Sequence, residues 1–246
     1  MTLKGIGLTD VGRKRRHNED AFLCKLDEQL FIVADGMGGR AAGETASKAV
    51  VTVLPMLLRK RLDALENASP GSISYVLAKA LEELSWNLHQ QSQNIPQIRG
   101  LGSTVALLLV RNEMAYIACA GDSRVYLYRK GRLIQISKDQ TVAAALVRSG
   151  YLRPDNAGSH PLSHALEEYI GKEGKLHPNV WCKKIYANDR WLLCSDGLTK
   201  GISDRELSEL LNADIQAGAL CQQLISHART ADGTDNITAI VIDVLD

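Results

Sequence analysis

The sequence has almost no net charge, no long apolar run and no disulfide framework, and each absence closes off a class of function. Lys and Arg number 29 against 28 Asp and Glu, a formal net charge of +1. A binder of nucleic acid or of an anionic membrane would carry a basic excess, so neither is expected as a partner. No stretch approaches the roughly 20 apolar residues that span a bilayer. None near the amino terminus has the pattern of a signal peptide, so a cytoplasmic protein is expected. The cysteines number 5, an odd count, and Cys119, Cys182 and Cys194 lie inside apolar runs, as reduced core thiols do. There is no internal repeat. The 246 residues are enough to bury a substantial core without staples.

What the sequence does have is one stretch around which the rest can be organised, FIVADGMGGRAAGE at residues 31–44. It opens as an apolar run short enough for a buried strand. The run stops at Asp35 and turns through Gly36, Gly38 and Gly39, and small, helix-compatible residues follow Arg40. A carboxylate thus stands at the end of a strand, beside backbone that can approach a ligand closely because it lacks Cβ atoms. A single Asp-Gly pair would be an ordinary turn, but here the pattern recurs. The run 191–195 ends on Asp196-Gly197, the run 115–120 ends on Gly121-Asp122, and Asp235-Asn236 precedes the run 237–244. If these ends converge, the carboxylates face one another. Unit charges about 4 Å apart repel by ~1 kcal/mol in water and ~4 kcal/mol at an effective dielectric of about 20, so the cluster needs cations between its members. Oxygen donors without neighbouring Cys or His pairs favour Mg²⁺ or Mn²⁺ over zinc.

Periodicity places these motifs on elements. Strand-like runs fall at 4–11, 30–34, 104–110, 114–120, 125–128, 133–136, 180–186, 191–195 and 237–244. Helical spacing covers 41–58, where Pro55 is expected to kink or end the helix. It also covers 72–93, whose apolar positions Ile73, Val76, Leu77, Ala80, Leu81, Leu84 and Leu88 recur at three and four. Trp86 and His89 on that helix are expected to pack. Further helices are expected at 139–149, 204–211 and 215–229. Residues 151–178, broken by Pro154, Pro161 and Pro178, read as a surface flap. His160 and His164 stand four apart within it, a poor metal pair with Pro161 between them and no further ligand following. Strands, two helices, many strands, helices and a strand predict an α+β fold of two mainly antiparallel sheets packed together, with helix pairs outside.

Ahead of Asp20 lies a basic cluster, Arg13-Lys14-Arg15-Arg16, then His17-Asn18-Glu19. Such clusters are usually solvated surface. If the stretch is extended, however, Arg13, Arg15, His17 and Glu19 share one face, and a cation beside an acid suits phosphate and metal together.

Several motifs occur in one order: Arg15 with Asn18-Glu19-Asp20, Val33-Ala34-Asp35-Gly36-Met37-Gly38-Gly39, Gly102-Ser103-Thr104, Gly121-Asp122-Ser123-Arg124, Ser195-Asp196-Gly197-Leu198 and Asp235-Asn236-Ile237-Thr238. This ordered set, spread over nearly the whole chain, resembles the metal-dependent type 2C serine/threonine protein phosphatases in their compact bacterial form. The resemblance implies a four-layer α-β-β-α sandwich forming one catalytic domain over 1–246, with a flap at about 139–178 and a site in a cleft at one edge. It implies that Asp35 bridges two tightly bound Mn²⁺ or Mg²⁺ ions, with the Gly36 carbonyl on one and Asp196 and Asp235 on the other. Glu19 would act through metal-bound water. Asp122 with Asp196 resembles a weaker third metal site and Arg15 the phosphate-binding arginine, while Asn236 and Asp20 would support the ligands from behind. The implied reaction is direct hydrolysis of phosphorylated Ser/Thr proteins by a dimetal-bound water, opposing a cognate Ser/Thr kinase. A monomer is the default expectation.

The chain departs from the family pattern in two places. Arg40 stands where the family usually has His, and because arginine cannot give up a proton, its expected role is to steady a phosphate oxygen or to recognise acidic neighbours in the substrate. Asp139-Gln140-Thr141 replaces the usual Asp-His-Ser. The alternative reading is a catalytically weak, metal-binding regulatory module of the same fold. A nucleotide-binding phosphate loop at 36–39 is disfavoured, because no Lys-Ser/Thr follows the glycines.

Overall fold

The apolar runs read as continuous rather than alternating because their strands are covered on both faces. This computed structural model describes residues 1–38 and 40–246, and the side chains of all of these except positions 40 and 41. In β3 (Leu30–Met37), Phe31 and Val33 enter the space between two sheets with Leu108, Ile117, Leu193 and Ile240. Their neighbours Ile32 and Ala34 face helices instead, packing with Leu77 and Leu81.

One sheet is ordered β1 (Thr2–Asp10), β11 (Ile237–Leu245), β10 (Arg190–Cys194), β7 (Arg124–Arg129) and β8 (Arg132–Gln135). The other is ordered β2 (Asp20–Lys25), β3, β5 (Val105–Arg111), β6 (Met114–Ala120) and β9 (Asn179–Lys184), with the short β4 (Gly102–Ser103) beside β3. Every paired neighbour is antiparallel. Helices α1 (Arg40–Asp63) and α2 (Pro70–Asn94) cover the second sheet. The first is covered by α4 (Asp196–Gly201), α5 (Asp204–Leu211) and α6 (Ala217–Ala231), which makes the expected four layers. The apolar positions expected on α2 are all buried. Its first turn begins on Pro70 and is capped by Ser69, whose hydroxyl accepts the Ser72 N–H at 3.1 Å.

Some expectations need correction. Pro55 lies inside α1 and does not end it. A mid-helix proline costs about 3 kcal/mol, but Leu54, Leu58 and Leu62 on either side are buried against the sheet and α2, and that packing carries the helix through. The helix expected at 139–149 is shorter, α3 (Val142–Arg148), because the Thr141 hydroxyl caps it by accepting the Ala144 N–H at 3.2 Å. Trp86 is 55% exposed rather than packed. The flap is anchored, with Ile170 and Leu176 buried and bridges joining Ser103 to Ile170 and Thr141 to Leu166.

Candidate active site

At one end of the sandwich the strand ends deliver their acids to a common cleft of about 450 Å³. β3 arrives there with Asp35 and Gly36, the turn after β6 brings Asp122, α4 begins on Asp196, and Asp235-Asn236 leads into β11. Arg15 and Glu19 come from the 11–19 loop. Two glycines let these segments close up. A Cβ on Gly36 would overlap the Gly43 carbonyl oxygen of α1, and one on Gly197 would overlap the Asn236 carbonyl oxygen.

Buried polar side chains lock the arrangement. Asp20 is paired with Asp35 across β2 and β3. Its Oδ2 accepts from the hydroxyls of Ser195 at 2.8 Å and Thr238 at 2.6 Å, tying β2 to the other sheet. Asn236 Oδ1 accepts the Glu19 N–H at 2.8 Å, and its Nδ2 donates to the carbonyls of Val11 at 3.0 Å and His17 at 2.9 Å. That grip shapes the 11–19 loop, which turns rather than running extended. Arg13 and Arg15 therefore do not share a face as expected: Arg13 turns to the Thr230 carbonyl, whereas Arg15 Nη2 reaches Asp235 Oδ1 at 2.8 Å.

A family model described as protein phosphatase 2C matches residues 11–235. The chain belongs to the protein phosphatase 2C family. It is 33% identical over 238 residues to the serine/threonine phosphatase stp of Listeria monocytogenes, covering 96% of this chain and 93% of that protein. The solved serine/threonine phosphatase PstP/Ppp of Mycobacterium tuberculosis superposes with a TM-score of 0.85 at 32% identity over 100% of both chains. A PstP catalytic domain in complex with 2 manganese ions superposes with a TM-score of 0.81 at 31% identity, covering 99% of each chain.

The donors of this protein phosphatase 2C cleft fit a hard cation. Asp196 Oδ1 is buried and has no hydrogen-bond partner among the described residues. The Asp35 carboxyl is pushed well above the usual carboxylate range by burial and then by the charges of Asp20, Asp196, Asp122 and Asp235. Burial and the nearby Asp196 and Asp139 push Asp122 up to about 7. Burial likewise raises Asp20 to about 7, against the pull of the Thr238 and Ser195 hydroxyls. Asp235 is the exception. Burial would raise it, but Lys200 and Arg15 hold it below its usual value. A site that drives several of its carboxyls toward protonation is short of positive charge, and a divalent ion supplies it.

Of the residues picked out in the sequence, the phosphatase brings Arg15, Glu19, Asp35, Gly36, Asp122, Asp196, Asp235 and Asn236 to the cleft, with Asp20 directly behind. The side chain of Arg40 lies outside the described residues. Of two further cleft residues, Lys200 went unnoticed in the sequence and His164 was set aside as one of a poor metal pair. Lys200 Nζ lies 2.6 Å from Asp196 Oδ2 and 2.9 Å from Asp235 Oδ2. His164 enters from the flap with Nδ1 at 4.0 Å from Asp196 Oδ2, and its ligand atom, with one each from Asp122 and Asp196, falls within a 4.8 Å group. The unusual Asp139-Gln140-Thr141 has structural work: Asp139 pairs with Arg124 at 2.7 Å, Gln140 Nε2 donates to the His177 carbonyl at 2.9 Å, and Thr141 caps α3.

Proposed function

We propose that this cleft hydrolyses phosphoserine and phosphothreonine in proteins. The observation that carries the reading is the convergence of Asp35, Asp122, Asp196 and Asp235 beside Arg15, with a buried carboxylate oxygen of Asp196 that has no hydrogen-bond partner among the described residues. Relatives named as serine/threonine phosphatases support it. Asp35, with the Gly36 carbonyl, Asp196, Asp235 and Glu19, would hold two Mn²⁺ or Mg²⁺ ions, and Asp122 with Asp196 a weaker third. Such ions activate water for attack and screen the charge of the phosphate.

The side chains supply the rest. Arg15 is half exposed and pairs with Asp235 through Nη2, and the guanidinium has further donors that can hold non-bridging phosphate oxygens in a fork. Asn236 and Asp20 keep Glu19, Asp196 and Asp235 in register through the hydrogen bonds above. His164, at the mouth of the cleft with Nδ1 at 4.0 Å from Asp196 Oδ2, would offer an imidazole for proton transfer there. A single catalytic domain acting as a cytoplasmic monomer, opposed by a Ser/Thr kinase, completes the proposal. No helix among the described residues is long and apolar enough to cross a membrane. Metal-dependent hydrolysis of p-nitrophenyl phosphate and of a phosphothreonine peptide by the purified chain tests it, and absence of turnover on both with Mn²⁺ present would leave only a binding module.

Within the basic cluster the expected effects differ sharply. A hydrogen bond to a charged group contributes about 1.5–3 kcal/mol, so Arg15→Ala should lower kcat/KM roughly tenfold or more. Lys14 and Arg16 are exposed, and their alanine variants should stay within about twofold of the parent, as surface changes do. Arg15→Lys should recover part of the loss, since an ammonium cannot form the fork. Equal losses at all three positions in steady-state assays would point to a diffuse positive field instead.

A further inference from the structure

Helix α4 places Asp196 and Lys200 one turn apart, and the lysine folds back over the cleft. Its Nζ bridges Asp196 Oδ2 at 2.6 Å and Asp235 Oδ2 at 2.9 Å. The other oxygen of Asp235 already accepts from Arg15 Nη2 at 2.8 Å and from the Asn236 N–H at 3.0 Å. Both oxygens of Asp235 are thus engaged by groups of the chain itself. A cation held by both Oδ2 atoms would take the place where the ammonium sits, while Asp196 Oδ1 has no hydrogen-bond partner among the described residues. Lys200 has somewhere to go. It sits on a flexible four-carbon stem, its side chain is 25% exposed, and it also lines a neighbouring cavity of about 370 Å³ beside Asp139 and Ser163.

We propose that Lys200 is a tethered counter-ion that sits on the Oδ2 oxygens of Asp196 and Asp235 and competes with a cation for them. This rests on the reading that Asp196 and Asp235 share a metal ion. The lysine then plays two opposed parts. Without metal it neutralises two converging carboxylates and stabilises the fold. When metal arrives it competes, and the apparent affinity is reduced by the fraction of molecules in which the lysine has swung clear. The enzyme is thereby gated by metal concentration.

The test uses the metal-stripped full chain and three variants, Lys200→Met, Lys200→Arg and Asp235→Asn, each titrated with MnCl₂ by calorimetry and melted with and without Mn²⁺. Methionine keeps the length of the side chain and removes the charge. Lys200→Met should bind Mn²⁺ about tenfold tighter or more, melt at a lower temperature than the parent without metal, and gain more on saturation. Lys200→Arg should bind no tighter than the parent. Equal or weaker Mn²⁺ binding by folded Lys200→Met overturns the proposal. Should that variant not fold, Lys200→Asn, shorter and uncharged, is held to the same result. If Asp235→Asn binds Mn²⁺ just as the parent does, the pair holds no ion, and it is the metal reading beneath the proposal that has failed.

Discussion

Asp35→Asn should lower kcat by roughly 10³-fold or more and, in the metal-free protein, raise the melting temperature. The two effects have one cause. The carboxyl is forced well above its ordinary range by burial and by the acids around it, so the native fold holds it at a cost. Asparagine has the same shape without the charge and relieves that cost. Removing one preorganised electrostatic group typically costs about 10²–10³ in kcat, and Asp35, facing all of the other acids, should be at the upper end. Asp196→Asn and Asp235→Asn should also lose activity, but Asp235→Asn differs in stability. Asp235 is held low by Lys200 and Arg15, so its loss strips two cations of a partner and should lower the metal-free melting temperature. Phosphopeptide kinetics and melts of EDTA-treated proteins check both halves. A folded Asp35→Asn with near-parental kcat would sink the shared site.

Metal-free protein should lose stability as pH rises from about 5 to 8, and Mn²⁺ should reverse the trend. Asp20 and Asp122 both move from 3.8 to about 7, with burial as the largest cause and the neighbouring Asp196 adding to it. An acid whose pKa is raised by folding binds more protons in the native state than in the unfolded chain throughout that interval, so stability falls as pH climbs through it. Groups shifted the other way, such as Asp235 and Glu168, contribute fully above their unfolded values near 4 and add no slope from 5 upward. Each pKa unit corresponds to about 1.36 kcal/mol. Even a small part of these shifts should cost ~2 kcal/mol, or roughly 4–8 °C of melting temperature for a domain of this size. Bound metal competes with protons for the same oxygens, so its stabilisation grows with pH. Melts from pH 5 to 8, with EDTA and with saturating MnCl₂, read both slopes. A metal-free melting temperature that is flat or rising across that window contradicts the charge-starved cleft.

The cleft acids were legible because Asp35, Asp122 and Asp196 stand where an apolar run stops and Asp235 where one starts, a pattern that survives without knowledge of the fold. The same holds for α2, whose buried stripe follows directly from spacing. What stayed hidden enters the site only through tertiary folding. Lys200 is one turn from Asp196, but that spacing has meaning only in α4, a helix of 6 residues, too short to show periodicity. His164 looks isolated beside His160 in sequence, yet across the cleft it meets Asp122 and Asp196. Arg15 does reach the cleft, although the premise that singled it out was mistaken. An extended segment would have paired it with Arg13, and it is the Asn236 hydrogen bonds that fold the loop and separate the two. β2 escaped notice because most of its residues are only partly buried, which leaves no clear two-residue period.

The bonds from Asp20 to Ser195 and Thr238, and from Asn236 to Glu19, join residues 175, 218 and 217 positions apart. β11 must also insert between β1 and β10, matching β1 from Thr2↔Leu245 to Asp10↔Ile237. Contacts this distant in sequence form late, after local hairpins and helix pairs. During synthesis, β5–β6 and α1–α2 can assemble as soon as they leave the ribosome, but the cleft has no second wall until residue 235 and the strand after it have emerged. A nascent chain therefore has no hydrolytic power to turn on the phosphoproteins around it, and the enzyme becomes competent in one final step of folding.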